Sequence, residues 1–176
     1  MKIYPLLIAC SLAIAPYTIF DKAKGHNLFT KVNISSNQVL NVNYREIIKK
    51  TSKELRVDKT NKKALLTRAY ARGKMKNFKG ALKDLNTLIK MDSDFNDSAI
   101  FLRGWIHINL KNYSAAMDDY SRSIKNNVFL KTSYANRGFI KDIMQDQNGA
   151  CSDWGKGGKL GDEKALSAFE NHCKSF

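Results

Sequence analysis

The chain has 176 residues, of which 43% are hydrophobic and 26% charged, with only two prolines and ten glycines. That length bounds the answer to about one ordinary domain with a real core, and the composition excludes collagenous, disordered and small disulfide-scaffold classes. The net charge of +14 is local: residues 45–83 hold fourteen basic and three acidic side chains, whereas residues 84–176 hold twelve of each. A stretch this basic suits an acidic partner, phospholipid headgroups or nucleic acid, and equally an ordinary lysine-rich helix surface.

Residues Ile3 to Phe20 carry no charge and are flanked by Lys2 and by Asp21, Lys22 and Lys24, the pattern of a targeting or anchoring segment covering 1–20. Three readings stay open. A cleaved signal would exit at Ala13-Ile14-Ala15, although Pro16 then follows the cut. Leu7-Ile8-Ala9-Cys10 resembles a lipidation site at Cys10, with a short apolar run before it. As an uncleaved anchor the segment reaches about 27 Å, marginal against a hydrocarbon core of about 30 Å. The expected location is therefore exported, periplasmic or secreted, or membrane-tethered. Residues 21–43 are rich in Asn, Ser and Lys without sustained period and read as a linker, with an extended stretch near Val39 to Val42.

From Tyr44 onward the apolar residues fall at helical spacing. Tyr44, Ile47, Ile48, Thr51 and Leu55 give one stripe, a half unit over 44–61. Beyond it the chain repeats itself: Arg68, Arg103 and Arg137 are spaced by 35 and 34 residues, and so are Ala81, Ala116 and Ala150, and Asp84, Asp119 and Asp153. Large apolar residues follow those aspartates directly, at Leu85, Tyr120 and Trp154. One shared spacing in independent columns means stacked helix-turn-helix units, here 62–96, 97–130 and 131–164. In the second unit the helices are expected at Ile100 to Leu110 and Tyr113 to Ile124. In the third they are expected at Tyr134 to Met144 and as a shorter helix ending in the glycine-rich Gly155 to Gly161. Glu163 to Ser175 forms a capping helix.

These residues resemble the tetratricopeptide repeat. Arg103-Gly104 stands at its Leu-Gly step, His107 at its Tyr, Ala116 at its Ala and Tyr120 at its aromatic; Asn136-Arg137-Gly138, Ala150 and Trp154 repeat the pattern. No unit has the closing Pro, its place being taken by Val128 and Asp162, and Ala69 replaces Gly in the first unit. The resemblance covers about three quarters of the chain and implies an all-α, short solenoid of hairpins, the family's fold for holding other proteins. In such arrays the first helices line a concave groove. It would present Tyr70, Trp105 and Phe139 at equivalent positions, with Lys63, Thr67, Lys74, Phe101, Leu102, Asn109 and Asn136 around them. Aromatics beside Lys suit an extended peptide with acidic character, and equally suit packing against the linker or the cap. The carboxylate clamp of chaperone-binding members is not matched at Leu66, Tyr70, Leu102 or Thr132; only Asn136 fits.

Cys151 and Cys173 fall on helices that should pack together, which invites a disulfide if the chain is exported and two reduced thiols if it is not. The run Gly-Ala-Cys-x-Asp-Trp with a terminal Cys looks like the end of exported repeat proteins of this type. A metal site from Cys151, His172 and Cys173 is disfavoured, because adjacent helical residues point about 100° apart. Gly155-Lys156-Gly157-Gly158-Lys159 lacks the spacing of a phosphate-binding loop and reads as helix termination. No nucleophile-base arrangement stands out, so no enzyme, metal, cofactor or small-molecule substrate is expected. Each Arg and Asp column could form ion pairs or stand as separate solvated charges. The expectation is a non-enzymatic scaffold for a protein or peptide; the alternative is electrostatic binding of an anionic membrane, or of nucleic acid, through residues 45–83.

Overall fold

Short polar side chains fix where five of the described helices begin. In the computed structural model residues 20–21, 26–27, 42–92 and 94–173 are described, and contacts divide the chain into Met1–Val39 and Leu40–Phe176. The first unit contains β1 (Phe20–Asp21) and β2 (His26–Asn27), paired antiparallel, so the expected linker carries a small hairpin. The rest of the uncharged segment, and of the stretch expected near Val42, lies outside the described residues. The second unit runs α1 (Tyr44–Val57), α2 (Lys62–Lys74), α3 (Phe78–Lys90), α4 (Asn96–Asn109), α5 (Tyr113–Lys125), α6 (Leu130–Ile143), α7 (Gln147–Lys159) and α8 (Glu163–His172). Asn43, Asn61, Asn77, Asp146 and Asp162 cap α1, α2, α3, α7 and α8, each side chain accepting from the N–H three residues on. No helix of the described residues is long and apolar enough to cross a membrane.

Four turns close in one way. Lys76, Lys111, Gln145 and Gly161 take left-handed backbone, at φ 60°, 59°, 66° and 87°. The following N–H of Asn77, Asn112, Asp146 and Asp162 donates back to the carbonyl of Arg72, His107, Lys141 and Gly157, at 2.8–3.0 Å. This Schellman closure turns the chain straight into the next cap; Asp162 stands where the repeat pattern has its proline, and at the other such place Val128 closes in the same way, its N–H donating to the Ser123 carbonyl at 2.9 Å after left-handed Asn127.

The layers then stack in chain order, each helix packing on its neighbours, with α2 also touching α4 and α6 also touching α8. Close approach inside a hairpin is set by size. A methyl added at Gly138 would lie 2.6 Å from Trp154, and one at Gly104 would lie 3.1 Å from Tyr120, so the glycine of the first helix is the seat of the aromatic of the second. In the first hairpin the same two positions hold Ala69 and Leu85, both fully buried, a methyl more on one side and a smaller side chain on the other.

Two expectations about helix extent need correction. α4 and α6 begin four residues before Ile100 and Tyr134, because Asn96-Asp97-Ser98 and Lys131-Thr132-Ser133 in their first turns are polar and leave no apolar stripe to read. In α6 the buried Ser133 hydroxyl instead donates to the Val128 carbonyl. The glycines of the third unit do not shorten α7, which runs thirteen residues through Gly155, Gly157 and Gly158 to Lys159, with left-handed Gly161 just beyond its cap. A methyl at Gly157 would sit 3.0 Å from Ala165 and 3.2 Å from the Lys131 carbonyl, and one at Gly158 would sit 3.0 Å from Leu166 Cα. Those glycines therefore let α8 lie on α7. Cys151 and Cys173 are disulfide-bonded, with Cα atoms 5.7 Å apart, and tie the end of α8 to α7.

Candidate functional site

The three Arg–Asp columns are clamps rather than separate solvated charges. Arg68, Arg103 and Arg137 each grip the aspartate of their own hairpin through two N–H groups at 2.7–2.9 Å, with side chains of Asp84, Asp119 and Asp153 only 1–5% exposed. The third donor of each guanidinium reaches the preceding unit, at Ser52, Asn86 and Ser121. One arginine thus holds its hairpin closed and its hairpin against the last, the bidentate geometry that lysine cannot copy. A second cation joins in the outer units: Arg72 on Asp84 and Lys141 on Asp153. Burial pushes Asp153 up, but hydrogen bonds from Arg137 and Lys141 outweigh it and hold the carboxyl below its usual value.

In the middle unit His107 stands at the position of that second cation. Its Nδ1 is buried without a hydrogen-bond partner, and burial pushes its pKa down against the pull of Asp119. His107 is therefore a packed side chain within the clamp layer.

With the hairpins fixed, the face of the first helices is fixed too. Trp105 on α4 lies against α2, where a methyl on Gly73 would come within 2.5 Å of its ring. The Lys74 ammonium stands between two aromatics, 5.4 Å from the centre of Tyr70 and 5.6 Å from that of Trp105. Burial lowers the Lys74 pKa. Burial, with the Tyr44 phenol beside it, pushes Tyr70 up to about 12. Tyr44 stands edge-on to Tyr70 at 6.2 Å; it lies on α1, outside the units that the resemblance assigned to the groove. The Trp105 carbonyl accepts from the exposed Asn109.

The other expected groove residues part company. Lys63 is exposed on the first turn of α2, and Thr67 and Asn136 are half-buried. Leu102 is buried. Phe101 turns toward Tyr120 and Phe129, at 5.7 and 4.6 Å between ring centres. Phe139 sets its edge on Trp154 at 5.4 Å and packs on the cluster that includes Ala165 and Ala168 of α8. The structure thus brings Tyr70, Lys74, Trp105 and Asn109 together and commits Phe101 and Phe139 to packing. Among the described residues no group of three His, Cys, Asp or Glu could hold a metal ion.

Residues 97–127 match the tetratricopeptide repeat family. No curated protein matches the sequence. Among solved structures, a crystal structure of MamA is 18% identical with a TM-score of 0.61, covering 73% of this chain and 86% of that one. A second MamA structure is 21% identical with a TM-score of 0.64, covering 73% and 71%. The first such domain of Spaghetti (RPAP3), bound to the HSP90 peptide SRMEEVD, is 17% identical with a TM-score of 0.59, covering 67% and 94%. At these identities the likeness is one of fold.

Proposed function

We propose that this tetratricopeptide repeat protein is a non-enzymatic scaffold that holds an extended peptide segment of a partner on the face of α2 and α4. The array itself is a protein-interaction module. The observation that carries the finer reading is the half-exposed set of Tyr70, Lys74 and Trp105, a cation held between two aromatic rings. A carboxylate of the peptide would meet Lys74 while apolar side chains on either side of it lie on the rings. RPAP3 takes an acidic peptide. Here the equivalent clamp positions are filled by the buried Leu66, Leu102 and Thr132, so the recognised segment is apolar or aromatic on both sides of its acid rather than a bare carboxylate terminus.

A random peptide display selection against the chain, followed by fluorescence polarisation of the enriched sequence, tests this. Enrichment of acidic-aromatic segments, with Trp105→Ala weakening binding about thirtyfold, supports the reading. Equal binding by Trp105→Ala would discard the site.

The same reading has the chain exported or membrane-tethered. What supports it is the uncharged run Ile3 to Phe20 together with the Cys151–Cys173 bond, a linkage that persists in oxidising compartments. Recovery of the reduced protein from the cytosol alone would overturn it.

A further inference from the structure

A second feature lies away from the aromatic face, between α1 and α3 over α2. It is a notch of about 290 Å³. Its floor is apolar, made by the buried Leu55 and Leu65. Its rim carries Arg56, Lys59 and Lys83. None of these three takes part in an ion pair among the described residues. The carboxylate lining it, Asp84, is already held by Arg68 and Arg72. Ser52 also lines it; its oxygen accepts from Arg68, which leaves the hydroxyl proton free to donate inward.

The repeats supply an internal comparison, because the same address recurs in each unit. In the middle unit Ile100 stands for Leu65, but Asp118 stands for Lys83 and reverses the charge of the rim. In the third unit Tyr134 stands for Leu65 and Lys156 for Thr87, and the ring lies 5.6 Å from both the Lys156 ammonium and the Arg137 guanidinium, closing the space on itself. At the addresses of Arg56, Lys59 and Lys83 the middle unit has Met91, Asp94 and Asp118 and the third has Lys125, Val128 and Ser152, so the three-cation rim belongs to the first unit.

We propose that this notch binds a phosphomonoester whose organic body is apolar. Three separated cations and one hydroxyl donor match the three terminal oxygens of a dianion better than the two of a carboxylate, and the leucine floor takes the body. The site shares no residue with the aromatic face, so it stands or falls independently of the peptide reading.

The test titrates the full chain with phenyl phosphate, followed by amide NMR shifts and calorimetry. Four variants accompany the wild type: Lys83→Asp, Leu65→Tyr, the control reversal Lys131→Asp on α6, and Trp105→Ala. The expected result is saturable binding with shifts confined to α1, α2 and α3, weakened about tenfold or more by Lys83→Asp and by Leu65→Tyr and unchanged in the other two. Lys83→Asp alters an exposed side chain and keeps the test valid should Leu65→Tyr disturb the fold. No saturable binding at millimolar ligand overturns the proposal. Equal weakening by Lys83→Asp and Lys131→Asp, or shifts spread over all lysine-bearing helices, would likewise mean attraction by net charge alone. Sedimentation with phosphatidic acid vesicles, against phosphatidylcholine vesicles, then assigns the source. Sedimentation that Lys83→Asp abolishes places the ester on a lipid, and no sedimentation places it on a soluble molecule.

Discussion

Removing one carboxylate from the middle clamp probes how the array is held in register. Arg103 binds Asp119 through Nε at 2.9 Å and Nη2 at 2.7 Å, while its Nη1 reaches Asn86 of the preceding unit at 3.0 Å. Asp119→Asn keeps the volume and one acceptor, so the loss is one charge-assisted bond and the attraction of a pair, about 2 kcal/mol. Arg103→Met is the harsher change, because the Asp119 side chain, 5% exposed, then keeps its charge without its main partner; it should cost about 3 to 4 kcal/mol. Combining the two removes both ends of the pair, and the double variant should lose about 2 kcal/mol less than the sum of the singles. Urea unfolding followed by circular dichroism measures all four proteins, with unchanged m values required for the comparison. Singles that add to within about 0.5 kcal/mol would refute the clamp and return these residues to independent surface charges.

Three further outcomes follow from the packing. Gly138→Ala should destabilise by about 1 to 3 kcal/mol although alanine favours helix, since its methyl would meet Trp154 at 2.6 Å; Trp154→Leu in the same chain, copying Leu85, should recover part of the loss in thermal melts. The depressed Asp153 carboxyl binds its proton more weakly folded than unfolded. Its contribution is therefore complete above about pH 4 and lost as the pH falls through the depressed value, so the stability gap between wild type and Asp153→Asn should narrow steadily below that point. Cys173→Ser opens a loop of 22 residues and should cost about 3 kcal/mol. Hydrogen exchange should then place the loosening in α8, and unchanged protection there would contradict it.

What could be read from the sequence was whatever repeats in residue type. The Arg, Ala and Asp columns recur because a buried bidentate pair and a close helix crossing tolerate few substitutes, and they located every hairpin. The interlocking partners Ser52, Asn86 and Ser121 are spaced by 34 and then 35 residues, so Asn86 falls one residue out of register with the Arg column. They stayed hidden because any small hydrogen-bonding side chain serves there. The starts of α4 and α6 were hidden because polar first turns carry no period. The glycines of α7 read as a stop because propensity sees their flexibility and not the helix lying on them. In the groove, position alone made Phe101, Trp105 and Phe139 neighbours of a ligand. Their directions depend on Tyr120, Gly73 and Trp154, which are distant in sequence. Tyr44, read only as part of the 44–61 stripe, was not placed beside the groove for the same reason, since its partner Tyr70 is one helix away.

The two indoles of this chain offer the most direct measurement of the scaffold reading. Trp105 is half-exposed beside Lys74, and Trp154 is 1% exposed in the core of the third unit. During titration with the selected peptide, the account predicts that the Trp105 indole N–H resonance moves to saturation while that of Trp154 stays in place. A peptide that saturates the chain while Trp105 remains still would contradict it.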